Sequence, residues 1–174
     1  LTINSLTDGY VEQSQTVTMN GTTPVTLTGT HFRLGVGTMS IATAGGTNQD
    51  SVSAGKITLR VASAGATRAV MAADNTSDFS SHYTVPAGKT ALLLQSDVLA
   101  PKNEDITVRT RFSFGETGVF FIGGTANVYQ QSLIFPFKSG LLLPEKSDFL
   151  SQAKTSNVSD ITGTVVAEFI VFEN

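Results

Sequence analysis

Residues 105–114, DITVRTRFSF, alternate without a break: Ile106, Val108, Thr110, Phe112 and Phe114 on one side, Thr107, Arg109, Arg111 and Ser113 on the other. Successive side chains change face only on an extended chain; a helix would spread these apolar residues round its circumference. A segment of this kind has one side to bury, and a sheet with one apolar side must pack on another layer. The alternation therefore predicts β-strands, and more than one sheet.

The pattern recurs along the chain. After GETG at 115–118, VFFIG begins a return run, so residues 105–123 read as a β-hairpin with a four-residue connection. In ANVYQQSLIFPFKSG, Val128, Gln130, Ser132 and Ile134 alternate with Tyr129, Gln131, Leu133 and Phe135, until Pro136 ends the strand or places it on an edge. A short strand is expected near Phe149. The closing segment has Val165, Ala167, Phe169 and Val171 on one side and Val166, Glu168, Ile170 and Phe172 on the other. With both sides apolar it reads as a central strand covered on both faces, Glu168 excepted. If Glu168 is buried, Arg109 or Arg111 would supply its partner.

The first half is built from smaller residues. QTVTMNGTTPVTLTG reads as two strands around an Asn-Gly turn, and KITLRVA pairs with TRAVMAA across SAGA. Between them, GVGTMSIATAGGTNQDSVSAG reads as loop with one weak strand at Met39 to Ala42. The expected fold is an all-β, jelly-roll-like antiparallel sandwich of about 9–11 strands. The expected domain is single, 1–174, with 1–55 loop-rich and 56–174 holding the core strands; 174 residues suit one domain with a real core.

Charged residues make up only 14% of the chain and the net charge is −3, which gives no electrostatic reason to bind nucleic acid or an anionic membrane. The absence of cysteine removes disulfides, thiolate metal sites and cysteine nucleophiles together. Stability has to come from packing or from association.

Candidate chemistry is sparse. His82 lies beside Ser80 and Ser81, but neighbouring strand residues point to opposite faces and no G-x-S-x-G elbow is present, so a hydrolase is disfavoured. His31 reads as a surface or half-buried histidine. Asp74, Asn75 and Asp78 carry oxygen donors, yet they lack the glycine and closing glutamate of a calcium loop, and turn formation accounts for them better. Glu104 and Asp105 read as a turn leading into a strand. GGTNQD at 45–50 lacks the lysine of a phosphate loop. Sequons at Asn20, Asn75 and Asn157 each fall in an expected turn. No cofactor and no metal are expected.

In YTVPAGKTALLL, Pro86 sets φ, Val85 before it is held extended, and Gly88 is free to take a positive φ, so Pro-Ala-Gly-Lys reads as a tight inter-strand turn. The order of GYVEQSQTVTMNGTTPVTLTGTHFRLGVGTMSIATAGGTN, GKITLRVA, HYTVPAGKTALLL, TRFSFGETGVFFIG, LLLPEKSDFLSQA and VVAEFIVFEN resembles a family of virion structural proteins of tailed phages, especially aquatic ones. The resemblance spans nearly the whole chain. It implies a β-sandwich subunit of a virus particle without enzymatic activity, and it carries over Pro86, Gly88, Pro144 and Asp148 only as turn-forming structural residues. Family members have further sequence before the region matching residues 1–12, so the resemblance implies that Leu1 is not the true start.

The expected function is that of a capsid decoration or cement protein, an accessory head protein that stabilises the shell through oligomeric contacts. Its expected partners are the major capsid protein or other virion proteins and further copies of itself, a trimer being favoured, and its expected location is the virion. Phe120, Phe121, Tyr129, Phe135 and Phe137 are the interface candidates, each equally suited to a core. The alternative is a tail-fibre or receptor- and carbohydrate-binding module, for which NVYQQ offers the one mix of aromatic and amide residues.

Overall fold

The computed structural model describes residues 1–41, 52–62, 65–78, 82–99, 105–129, 132–155 and 164–174. Among these it has twelve strands, all paired antiparallel, and one short 3-10 turn at Gly115–Thr117. The protein is all-β and sandwich-like. The chain forms two compact units, Leu1–Ser80 and Ser81–Asn174.

The first unit holds β1 (Thr2–Leu6), β2 (Glu12–Thr16), β3 (Arg33–Ser40), β4 (Ile57–Arg60) and β5 (Thr67–Met71). These make a three-stranded sheet, β2-β1-β3, and the β4-β5 hairpin expected from KITLRVA and TRAVMAA. Ile3, Met39 and Met71 are buried together, with Ile57, Leu59 and Ala69 of the hairpin packed against them. Two expectations change. The strand at Met39 begins earlier, at Arg33, and stops at Ser40, while Ala42 lies outside the described residues. Past β2 the Asn20-Gly21 turn forms, with an isolated bridge from Asn20 to Thr23, but residues 24–32 join no strand. Pro24 has no N–H to give a ladder. Gln15 takes over that role, its side chain donating to Thr28 Oγ1 at 3.0 Å and accepting from Thr28 N–H at 3.2 Å.

The second unit holds β6 (His82–Thr84), β7 (Lys89–Leu99), β8 (Asp105–Ser113), β9 (Phe121–Tyr129), β10 (Ser132–Leu143), β11 (Asp148–Thr155) and β12 (Thr164–Glu173). One sheet runs β10-β7-β12 and the other β6-β11-β8-β9. The chain changes sheet at every connection except β8 to β9, which winds the two layers together as a jelly-roll-like sandwich. The core between them is centred on Val85, Ala91, Leu93, Leu143 and Phe149. The alternation in β8 acts as expected, with Ile106, Val108 and Thr110 buried and Arg109 exposed.

One level of this sandwich is aromatic. Backbone register aligns Tyr83, Phe149, Phe112 and Phe121 in a row across the four-stranded sheet. Phe169 of the opposite sheet meets the row, 5.2 Å from Phe149 edge-on and 4.9 Å from Tyr83.

Two elements depart from the sequence reading, and β10 takes the second of its two alternatives. The hairpin connection spans residues 114–120 and turns through Gly115 and Gly118, both with positive φ. β10 continues through Pro136, on a sheet edge, and resumes pairing only at Leu141 after a register shift. β12 is also an edge strand and is not covered on both faces; Ala167 and Phe169 pack inward, while Val166, Glu168, Ile170 and Phe172 face outward and are exposed. An exposed Glu168 needs no buried arginine.

The Pro86–Lys89 turn closes with a hydrogen bond from Lys89 N–H to Pro86 O at 3.3 Å, and Gly88 has φ +74. Positive φ at the third position of a turn is the type II signature. Nothing lies within 4 Å of where a Cβ on Gly88 would sit, so the backbone conformation alone penalises a side chain. Gly88→Val is therefore expected to cost about 1 kcal/mol or more, read as a lower denaturation midpoint. An unchanged midpoint would show that the turn does not need its glycine.

Candidate functional site

A largely buried polar cluster in the second unit lies where β6 meets β11. Pairing sets Asp148 opposite Thr84 and Leu150 opposite His82, which brings His82 diagonally against Asp148, 66 positions along the chain. Thr84 Oγ1 donates to Asp148 Oδ1 at 2.6 Å; His82 Nε2 lies 3.3 Å from the same oxygen and 3.2 Å from Thr84 Oγ1. Thr84 and Asp148 are buried and His82 is half-buried. The threonine proton points at the carboxylate, so the histidine does not activate that hydroxyl as a base activates a nucleophile. What the arrangement does is tie β6 to β11.

The same end of the unit joins two turns that the sequence shows only separately. Pro86–Lys89 and Pro144–Ser147 close alike, through Lys89 N–H to Pro86 O and Ser147 N–H to Pro144 O. They also bond to each other. Val85 N–H donates to Ser147 O at 2.9 Å, Lys146 N–H to Val85 O at 2.8 Å, and Gly88 N–H to Glu145 Oε2 at 2.6 Å. Lys146 takes φ +64 in the second turn and its ammonium pairs with Glu116 at 2.7 Å. Pro86, Gly88 and Pro144 thus sit in turns, whereas Asp148 is the first residue of β11 and acts through its carboxylate. Spacing could not reveal this, because no local pattern links residues 82–89 to 144–148.

The remaining candidates are dispersed. His31 accepts at Nδ1 from Ser5 Oγ at 2.8 Å when Nε2 carries the proton toward Thr28 O at 3.1 Å, the tautomer those partners fit. Asp74 has φ +63 and donates its N–H to Ser53 O; Asn75 O accepts from Ser53 N–H. Asp78 accepts from Met39 N–H at 2.6 Å and returns its own N–H to Met39 O, holding the chain against β3. These are turn and capping roles. Among the described residues no group of three or more His, Cys, Asp or Glu is placed to hold a metal ion, and no helix is long and apolar enough to cross a membrane. Ser80, Ser81, Glu104, Asn157 and the 45–50 segment lie outside the described residues.

Burial raises the Asp78 carboxyl pKa, against the lowering effect of the Met39 and Asp78 N–H groups. The protonated form is the one better accommodated, so this contribution is complete below the ordinary aspartate range and is lost as pH rises through the raised value. Asp78→Asn keeps an acceptor for Met39 N–H without the charge. Its stability relative to wild type is expected to be greater at pH 7 than at pH 4, measured by denaturant titration at both. Asp78→Ala, which strands a buried N–H, is expected to lose about 1–3 kcal/mol at either pH. A wild-type-to-asparagine difference independent of pH would contradict the assignment.

The feature that does offer a surface is the outer side of β10-β7-β12. Ile134 (54%), Leu142 (56%), Val166 (55%), Ile170 (51%) and Phe172 (45%) are exposed there. Register places Leu142, Leu92 and Ile170 in one row across the three strands, and Ile134, Asp97 and Val166 in another. Of the aromatic candidates, Phe120 and Phe121 are exposed near the hairpin connection, whereas Phe137 packs against the core. Tyr129 and Phe135 belong to β9 and β10, and their side chains lie outside the described residues. The outer aliphatic rows were missed from sequence because the two apolar sides of β12 read as one buried strand. No family model matches this chain, and neither a curated protein nor a solved structure matches it significantly.

Proposed function

We propose that the protein is a non-enzymatic structural subunit of a virus particle, acting as a capsid decoration or cement protein of a tailed phage. The observation that carries the reading is the outer side of β10-β7-β12, where five large apolar side chains, four aliphatic and Phe172, stand exposed on one sheet. Exposed apolar side chains gathered on one sheet mark interaction sites; here the row of Leu142, Leu92 and Ile170 is apolar throughout, while Gln95, Asp97 and Glu168 add polar groups toward Ile134 and Val166. The jelly-roll-like winding and the resemblance of the ordered segments to tailed-phage virion proteins support the particle as the setting. Such a subunit works by covering apolar surface on the shell and on neighbouring copies of itself.

Electron cryo-microscopy of intact particles that carry this chain tests the proposal. Density distributed over the icosahedral shell is the expected result. Density confined to a tail or vertex would replace decoration with attachment, the tail-fibre and receptor-binding alternative. Absence from the particle would overturn both.

A further inference from the structure

The two edges of the β10-β7-β12 sheet differ in kind. β10 carries Pro136, Lys138 and Gly140, and between Pro136 and Leu141 its pairing is interrupted, so that edge is interrupted in the ways that deter further strand pairing. β12 has none of these. It runs from Thr164 to Glu173 without proline, lysine or glycine, and the irregularity beside it arises from an extra residue, Leu94, on β7. Its far side pairs with no strand among the described residues. A regular ten-residue edge presents a row of backbone donors and acceptors that is a template for pairing with another strand.

We propose that this edge pairs with β12 of a second copy of the chain, antiparallel, about a two-fold axis at Ile170. Within a self-paired edge the placement of charge limits the register, because β12 carries Glu168 and Glu173 and no cation. An axis at Glu168 would set the two glutamates directly opposite, and an axis at Phe169 would leave them diagonal neighbours; both are unfavourable. An axis at Ile170 places each Glu168 opposite Phe172 and separates the two carboxylates by four residues of strand, about 14 Å. It also aligns Leu142, Leu92 and Ile170 with the same row of the second copy, giving one aliphatic stripe across a six-stranded sheet. The contact is isologous, as a two-fold requires, where the sequence reading favours a trimer. It concerns self-association alone and holds or fails independently of any role in a virus particle.

The absence of cysteine makes the test direct. Opposed residues on antiparallel strands have Cα atoms about 4.5–5.5 Å apart, within disulfide range. In the full chain, Ile170→Cys is expected to give a covalent dimer on mild oxidation, while Val166→Cys, equally exposed but away from the axis, gives little. By sedimentation equilibrium the wild type is expected to be dimeric, and Ile170→Lys to weaken the dimer by about tenfold or more. Ile170→Lys changes an outward side chain, and a far-ultraviolet spectrum matching wild type verifies its fold. A monomeric wild type, equal cross-linking at 166 and 170, or a folded Ile170→Lys variant that still self-associates as wild type does would each overturn the proposal.

Discussion

Phe149→Ala is expected to destabilise the 81–174 unit by about 3–5 kcal/mol. Phe149 is 2% exposed and belongs to the buried cluster with Val85, Ala91, Leu93 and Leu143. Its ring meets Phe169 of the facing sheet edge-on at 5.2 Å, so alanine removes both the transferred apolar area and the contact that joins the layers. Flanking Tyr83 and Phe112 are fixed by strand register and cannot close the space without shifting β6 or β8. The measurement is denaturant unfolding of the full chain, followed by near-ultraviolet circular dichroism. Phe149→Leu should recover much of the loss, because volume and hydrophobicity are partly restored. A loss below about 1 kcal/mol would mean that the aromatic row is not the centre of this sandwich.

Asp148→Ala is expected to cost about 1.5–3 kcal/mol, the range for hydrogen bonds that involve a charged group. Thr84 is buried and its hydroxyl donates to Asp148 Oδ1; without the carboxylate that proton loses its charged acceptor, and His82 loses one of its partners. Asp148→Asn retains an acceptor oxygen and is expected to cost about half as much. Thr84→Val on the Asp148→Ala background should then be nearly neutral, since the donor left behind is removed too. Additive losses in that double-mutant cycle would show that Thr84 and Asp148 do not act as a unit.

The fold class was legible because β-structure has a local signature. The alternation at Ile106, Val108 and Thr110 needs no partner to be recognised, and those residues are the buried ones. Pro86 and Gly88 were equally readable, since backbone restriction belongs to the residue itself. By contrast, the His82–Asp148–Thr84 cluster depends on β6 lying beside β11, and the bonds between the Pro86 and Pro144 turns depend on how the two loops are brought together. Residue spacing holds no record of either.

The sequence alone therefore determined that the chain folds as antiparallel β-structure, which side of β8 is buried, and where a glycine must turn. Tertiary structure decided the division after Ser80, the placing of β12 on an edge and the exposure of its second apolar side. The physical reason is that periodicity reports which residues share a face, whereas what covers that face depends on pairings between distant segments. Val166, Ile170 and Phe172 look the same in sequence whether buried beneath a neighbouring layer or left open to another molecule.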